Sequence, residues 1–313
     1  MLQFVIRNSF TSRKQEKLKS VILRSKALAP VVLFAVLLVA AQTLSAQNTT
    51  ATDPKDEKKA ASIATDSKEK KPAPAVNPLV PSKDGKTVAV TAEQVAESTI
   101  FIYGLGGGRA TLNQIRKTTI ERGKISVTSA EGRVDQASYS RWIQRAETLN
   151  KEKVRLDQEF PNARYSLVFN EEKIFGVVDD SIFTPREDAS KAFENQIVHG
   201  LESLLRYKEN ESKIEYVSKE KVLGVEFHIL DVIDKQSRKT RFYISAKTFR
   251  VMMLDYEQDG TKYRRKFYDY NYAQGTLVPY RSALFAGDKL VEETEVGTVS
   301  FGQKIDENMF RAG

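Results

Sequence analysis

Few stretches of this 313-residue chain hold side chains that could do chemistry, and each has a plainer explanation. Ile100 to Tyr103 followed by Gly104-Leu105-Gly106-Gly107-Gly108 invites a dinucleotide-binding reading, but Arg109 stands where the third fingerprint glycine belongs. No GK[ST] follows, so the loop is no P-loop, and the better reading is a hinge between two helices. The two histidines, His199 and His228, stand alone in sequence and suit structural or surface positions. Glu171-Glu172, Asp179-Asp180 and Glu292-Glu293 are adjacent acids. On a strand such neighbours point to opposite faces and do not form a hydrolytic pair. Lys262-Tyr263-Arg264-Arg265-Lys266-Phe267-Tyr268 interleaves basic and aromatic residues, as a nucleic-acid platform would. The charge balance argues against that use. Residues 1–46 hold seven Lys/Arg and one Glu; the rest carries 42 Lys/Arg against 40 Asp/Glu, so +8 falls to +2. With no cysteine, disulfides, thiol catalysis and zinc–thiolate sites are excluded. The sequence therefore points to a non-enzymatic protein with no catalytic residue, no metal site and no cofactor.

The elements come next. Residues 1–46 have the grammar of a secretory signal: a basic stretch to Lys26, an apolar run from Ala27 to Ala41, and small residues leading to cleavage after Ala46. The run is short for a membrane span, and an uncleaved inner-membrane anchor over residues 27–41 is the alternative. Residues 47–90 contain five of the nine prolines, mixed charge and no aromatic residue, and read as a disordered linker. The folded part, 91–313, opens with a capping box at Thr91-Ala92-Glu93-Gln94. A second helix is expected from Ala110 to Arg122, ended by Gly123. Strands follow at 124–128, 136–144, 153–159, 164–169 and 173–178. Thr184-Pro185-Arg186-Glu187 then announces one amphipathic helix to about Tyr207. Further strands run from Ile214, and the stretch 221–285 reads as successive antiparallel strands, with Asp259-Gly260 as a hairpin turn. The expected class is α+β: a curved antiparallel sheet, an incomplete β-barrel, covered by helices.

Four stretches stand out: Gly224 to Leu230, Phe242 to Thr248, Phe267 to Tyr270 with Gly275 and Val278-Pro279-Tyr280-Arg281, and Ile305-Asp306-Glu307 with Phe310. With them, the order of elements over roughly 91–310 resembles the periplasmic outer-membrane lipoprotein carrier (Lol-type) superfamily. The resemblance implies a half-barrel roofed by helices, holding acyl chains, in the periplasm or otherwise outside the cytoplasm. It gives no gating residue that can be placed on this sequence. Candidate cavity walls are Val225, Phe227, Ile229, Phe242 and Ile244, with Phe193, Ile197, Leu201 and Leu204 on the covering helix. The expected partner is an apolar ligand, a lipid or acyl chain, with envelope proteins or a membrane surface as further partners and no nucleic acid. The alternative is an envelope interaction module with a fully packed core.

Overall fold

A computed structural model describes residues 90–129, 131–179 and 181–311. The signal expectation for 1–46, and the linker expectation for 47–90 except its last residue, lie outside the described residues. The described domain contains α1 (Ala92–Tyr103), α2 (Gly108–Ile115), α3 (Glu187–Val198) and α4 (Leu201–Leu205). Its thirteen strands are β1 (Thr118–Thr128), β2 (Val134–Gln144), β3 (Lys153–Phe160), β4 (Ala163–Asn170), β5 (Lys173–Val178), β6 (Ser181–Phe183), β7 (Lys213–Val222), β8 (Val225–Ile233), β9 (Lys239–Ser245), β10 (Val251–Gln258), β11 (Thr261–Ala273), β12 (Thr276–Ala286) and β13 (Lys289–Phe301). They form one antiparallel sheet in the order β6-β5-β4-β3-β2-β1-β13-β12-β11-β10-β9-β8-β7. The two edges, β6 and β7, do not pair with each other, so the sheet is an incomplete barrel. The chain passes from one edge to the other through α3 and α4. That strap crosses the inner face, as a connection must when its own apolar stripe needs a sheet to cover it.

Local chemistry sets the boundaries. The Thr91 hydroxyl accepts from the Gln94 amide at 3.2 Å and the Gln94 side chain accepts from the Thr91 amide at 3.0 Å, the expected capping box. Asp259 and Gly260, with φ of 50° and 74°, make the expected β10–β11 turn. The Gly104–Gly108 loop joins two helices, which removes the dinucleotide reading.

Two expectations are corrected. The helix expected over 110–122 ends at Ile115, and Thr118-Thr119-Ile120, a β-branched run, starts β1 instead. Gly123 is therefore no helix cap. It sits inside β1 at a register shift against β13, where a Cβ would lie 2.0 Å from the Glu295 carbonyl oxygen. The single helix expected to Tyr207 is broken after Val198, with His199 as its C-cap and Gly200 as the N-cap of α4. Its first cap is Arg186, not Thr184.

The inner face carries two cores. Under α1, α2 and α4 lie Leu230, Phe242, Ile244, Leu254, Phe267 and Leu277, with Val95, Ile100, Tyr103 and Leu204. Under α3 lie Ile125, Tyr139, Val154, Leu156, Leu167 and Phe169, with Phe193 and Ile197. The break at Gly200 falls between them. On the outer face the C-terminal segment returns, and Ile305 and Phe310 cover Val168, Ile120 and Trp142.

Candidate functional site

Between the two cores a cavity of about 210 Å³ lies against the centre of the inner face. Its walls come from β1, β2, β3, β11, β12 and β13, and the strap residues Phe193, Gln196, Ile197, Gly200, Leu201 and Glu202 line its facing side. Apolar side chains dominate the middle: Ile143, Val154, Phe193, Ile197, Phe267, Val299 and Phe301. Charged side chains stand at its margins, and each is engaged.

On one margin α3 is tied to the sheet. Arg141 Nη2 donates to Gln196 Oε1 at 2.9 Å, and Gln196 Nε2 donates to Glu292 Oε2 at 3.1 Å. Glu292 Oε1 accepts from Arg265 at 3.1 Å. The Tyr139 hydroxyl donates to Glu121 at 2.8 Å; burial, then the Glu121 charge, keeps this phenol protonated far above its usual range. On the other margin α4 is tied down. Glu202 receives Arg116 Nη1 at 2.7 Å and also Arg145. Burial pushes the Glu202 carboxyl up, but Arg145 and Arg116 outweigh it and hold the group below its usual range. Arg206 pairs with the buried Glu152, whose carboxyl burial raises to about 7 against the pull of Arg206. Buried pairs of this kind are costly to break from one side, because the remaining charge is left without its partner. Here they hold both halves of the strap over the cavity.

The residues expected to line a cavity divide into three groups. Phe193, Ile197 and Leu201 do border it. Leu204, Phe242 and Ile244 point inward but are completely buried in the neighbouring core. Val225, Phe227 and Ile229 are on the other face, a correction. The register pairs Ile229 with Tyr243 and His228 with Ile244, so the inward set on β8 is His228, Leu230 and Val232. Phe227 and Ile229 pack outward with Met253, and Val225 is exposed. Because β8 is apolar on both faces, alternation could not choose its phase.

The polar margin was missing from the sequence reading. Glu202 interrupts the apolar run Leu201, Leu204, Leu205, the only local hint; its arginines come from residues 57 and 86 positions away. The interleaved stretch at 262–268 is split by the pleat. Arg264 turns outward to Asp255, and Arg265 turns inward to Glu292. His199 stacks on Tyr256 at 4.3 Å, and its Nδ1 lies 2.6 Å from the Thr240 hydroxyl. Burial lowers its pKa from 6.5 to about 4, consistent with a structural role.

Two other depressions flank the strap. One of about 290 Å³ lies between residues 147–151 and 232–240. The other, of about 1240 Å³, spreads over the ends of β9 to β12 and takes residues from both faces of the sheet. Its lining includes ion-paired side chains such as Arg238 with Glu194 and Arg264 with Asp255. Among the described residues no helix is long and apolar enough to cross a membrane.

No protein-family model matches the chain, and no curated protein matches it. Solved structures do. A LolA superfamily protein from Nitrosomonas europaea shares 11% identity over 71% of this chain and 98% of its own, with a TM-score of 0.49. An outer membrane lipoprotein-sorting protein domain from Vibrio parahaemolyticus shares 13% identity over 70% and 97%, with a TM-score of 0.45. A DUF1329 family protein from Desulfovibrio piger ATCC 29098 shares 12% identity over 70% and 97%, with a TM-score of 0.44.

Proposed function

We propose that this protein is an exported, non-enzymatic carrier or binder of a lipid, a lipoprotein acyl chain or another apolar ligand, held between the sheet and the α3–α4 strap. The observation that carries the reading is the cavity at the junction of the two cores. Its centre is lined by Phe193, Ile197, Phe267, Val299 and Phe301, and its cover is a strap broken at Gly200. The leader over residues 1–46 supports export, and the Lol-type order of elements supports the ligand class.

The size of the cavity narrows the mechanism. At ~30 Å³ for a methylene-sized group, taken from the volume of a water, 210 Å³ holds a chain of about seven carbons. Burial at ~25 cal/mol per Å² makes even that segment a useful anchor. A longer chain needs the strap to swing about Gly200, which separates Glu202 from Arg116 and Arg145. Loading and release then depend on exchanging those ion pairs for ligand contacts.

A second reading, an envelope protein-interaction module, is favoured by one observation: 210 Å³ lies below the ~300–1,000 Å³ of most ligand pockets. Native mass spectrometry of the protein purified from its own envelope distinguishes the two. A co-purifying lipid or acyl-chain adduct is the expected result. Bare protein across preparations, with no adduct after incubation with total membrane lipid, rejects the carrier.

A further inference from the structure

Leu149 lines both the central cavity and the depression of about 290 Å³ beside the strap. It heads a single-turn 3-10 helix, Leu149–Lys151, set between two extended residues, Thr148 and Glu152. A half-buried leucine in such a place is ordinarily absorbed by a core, yet this one belongs to neither inner core. Its backbone holds it. The Leu149 amide donates to Asn210 Oδ1 at 3.0 Å. The Lys151 amide donates to the Thr148 carbonyl at 3.1 Å, and the Glu152 amide to the Leu149 carbonyl at 3.2 Å. The side chain can change rotamer without breaking any of these bonds.

The strap completes the partition between the two hollows. On α3, Ile197 lines the central cavity and Val198 the outer hollow; on α4, Glu202 lines the central cavity and Ser203 the outer hollow. Val198, like Leu149, is half-buried and lies outside both inner cores. The two sides differ in chemistry. The middle of the central cavity is apolar and the charges at its margins are engaged. The outer hollow combines the apolar Leu149, Val198 and Val232 with Thr240 and Asn210. Its charged rim is paired within itself, Lys235 with Glu211 and Arg238 with Asp234. Asn210 Nδ2 is buried without a hydrogen-bond partner among the described residues, so this side keeps a donor for a ligand oxygen.

Together the hollows provide about 500 Å³, room for about sixteen methylene-sized groups at ~30 Å³ each. We infer that they are one site divided by the Leu149 side chain, and that its ligand is a single unbranched acyl chain of about sixteen carbons. The methyl end lies in the central cavity, and the oxygen-bearing end lies beside Asn210. This deepens the carrier reading and rests on it. A strap that has swung to load a long chain can close over it again only where the chain has somewhere to run, and the passage at Leu149 supplies that room.

The test is equilibrium dialysis of the full chain against radiolabelled octanoic and hexadecanoic acids, each below its aggregation limit. Each buried methylene is worth about fourfold in affinity, so eight further carbons should tighten binding by at least about a hundredfold in wild type. Val198→Trp fills the outer hollow from a residue that does not line the central cavity. It should bring hexadecanoic acid down to the affinity of octanoic acid and leave octanoic acid bound as before. In rapid-filtration uptake of the same label, Leu149→Ala should load hexadecanoic acid faster than wild type. Matching urea unfolding curves establish that each variant folds. Octanoic acid bound with hexadecanoic acid no tighter overturns this inference and leaves the carrier reading standing, whereas binding of neither acid overturns both. Equal loss of the two acids in Val198→Trp, no loss of either, or an unchanged loading rate in Leu149→Ala also overturns the divided site.

Discussion

Replacing Glu202 by Gln should loosen the strap by a definable amount. Glu202 is the shared acceptor of Arg116 and Arg145, whose side chains are 8% and 10% exposed. Arg116 keeps other partners, the Thr276 hydroxyl and the Leu277 carbonyl. Arg145 does not: its Nη1 already lacks a partner, so a neutral amide leaves a buried cation with only the field of the Glu152 carboxyl to offset it. Removing one side of a buried pair costs ~3–5 kcal/mol. Glu202 itself is 26% exposed, so part of the field is screened, and we expect a loss of ~2–3 kcal/mol. The assay is equilibrium urea unfolding at pH 7, followed by the fluorescence of Trp142, the single tryptophan. The midpoint should fall with an unchanged slope. Adding Arg145→Met should restore at least ~1 kcal/mol, because the stranded charge is then gone. The sign with pH is also fixed. Glu202 is held below 4.5 in the folded protein, so its contribution is present above that value and fades as pH falls. The difference between wild type and variant should shrink below pH 4.5. A loss under ~0.5 kcal/mol at pH 7, or no recovery in the double variant, refutes the idea that Glu202 ties down the strap.

Other consequences are as direct. His199 is neutral when buried, its pKa lowered from 6.5 to about 4, so its contribution is full above 6.5 and lost as pH falls toward 4. Denaturant melts over that window should show a ~3 kcal/mol component in wild type that His199→Gln lacks. In Gly123→Ala the new methyl meets the Glu295 carbonyl and the Tyr139 ring at 2.0 and 2.9 Å, and the β1–β13 bulge cannot retreat without losing its ladder. A loss of ~2–3 kcal/mol by urea unfolding is expected. Leu204→Ala, at a fully buried position where α4 meets the larger core, should cost ~2–5 kcal/mol in the same assay.

The architecture was largely legible because it rests on local signals. The capping box at Thr91, the Asp259-Gly260 turn and the alternation along β11 each act within a few residues. Where local signals conflict, sequence reading failed. Arg116 to Arg122 has charges at helical spacing, but Thr118-Thr119-Ile120 prefers a strand and the β13 partner decides. β8 is apolar on both faces because Phe227 and Ile229 pack outward with Met253 while Leu230 packs inward, so its phase was illegible. The cavity margin was illegible for a different reason. Nothing near Glu202 announces Arg116 or Arg145, since the ion pairs exist only once the strap is laid across the sheet.

The most direct test of a ligand site between the sheet and the strap is a calorimetric titration with octanoic acid, whose tail matches the space available. Wild type should take one molecule per chain, and Val299→Trp, which fills the cavity from β13, should take none while unfolding at the same urea concentration. No heat of binding in wild type, or equal binding by the filled variant, would contradict the account.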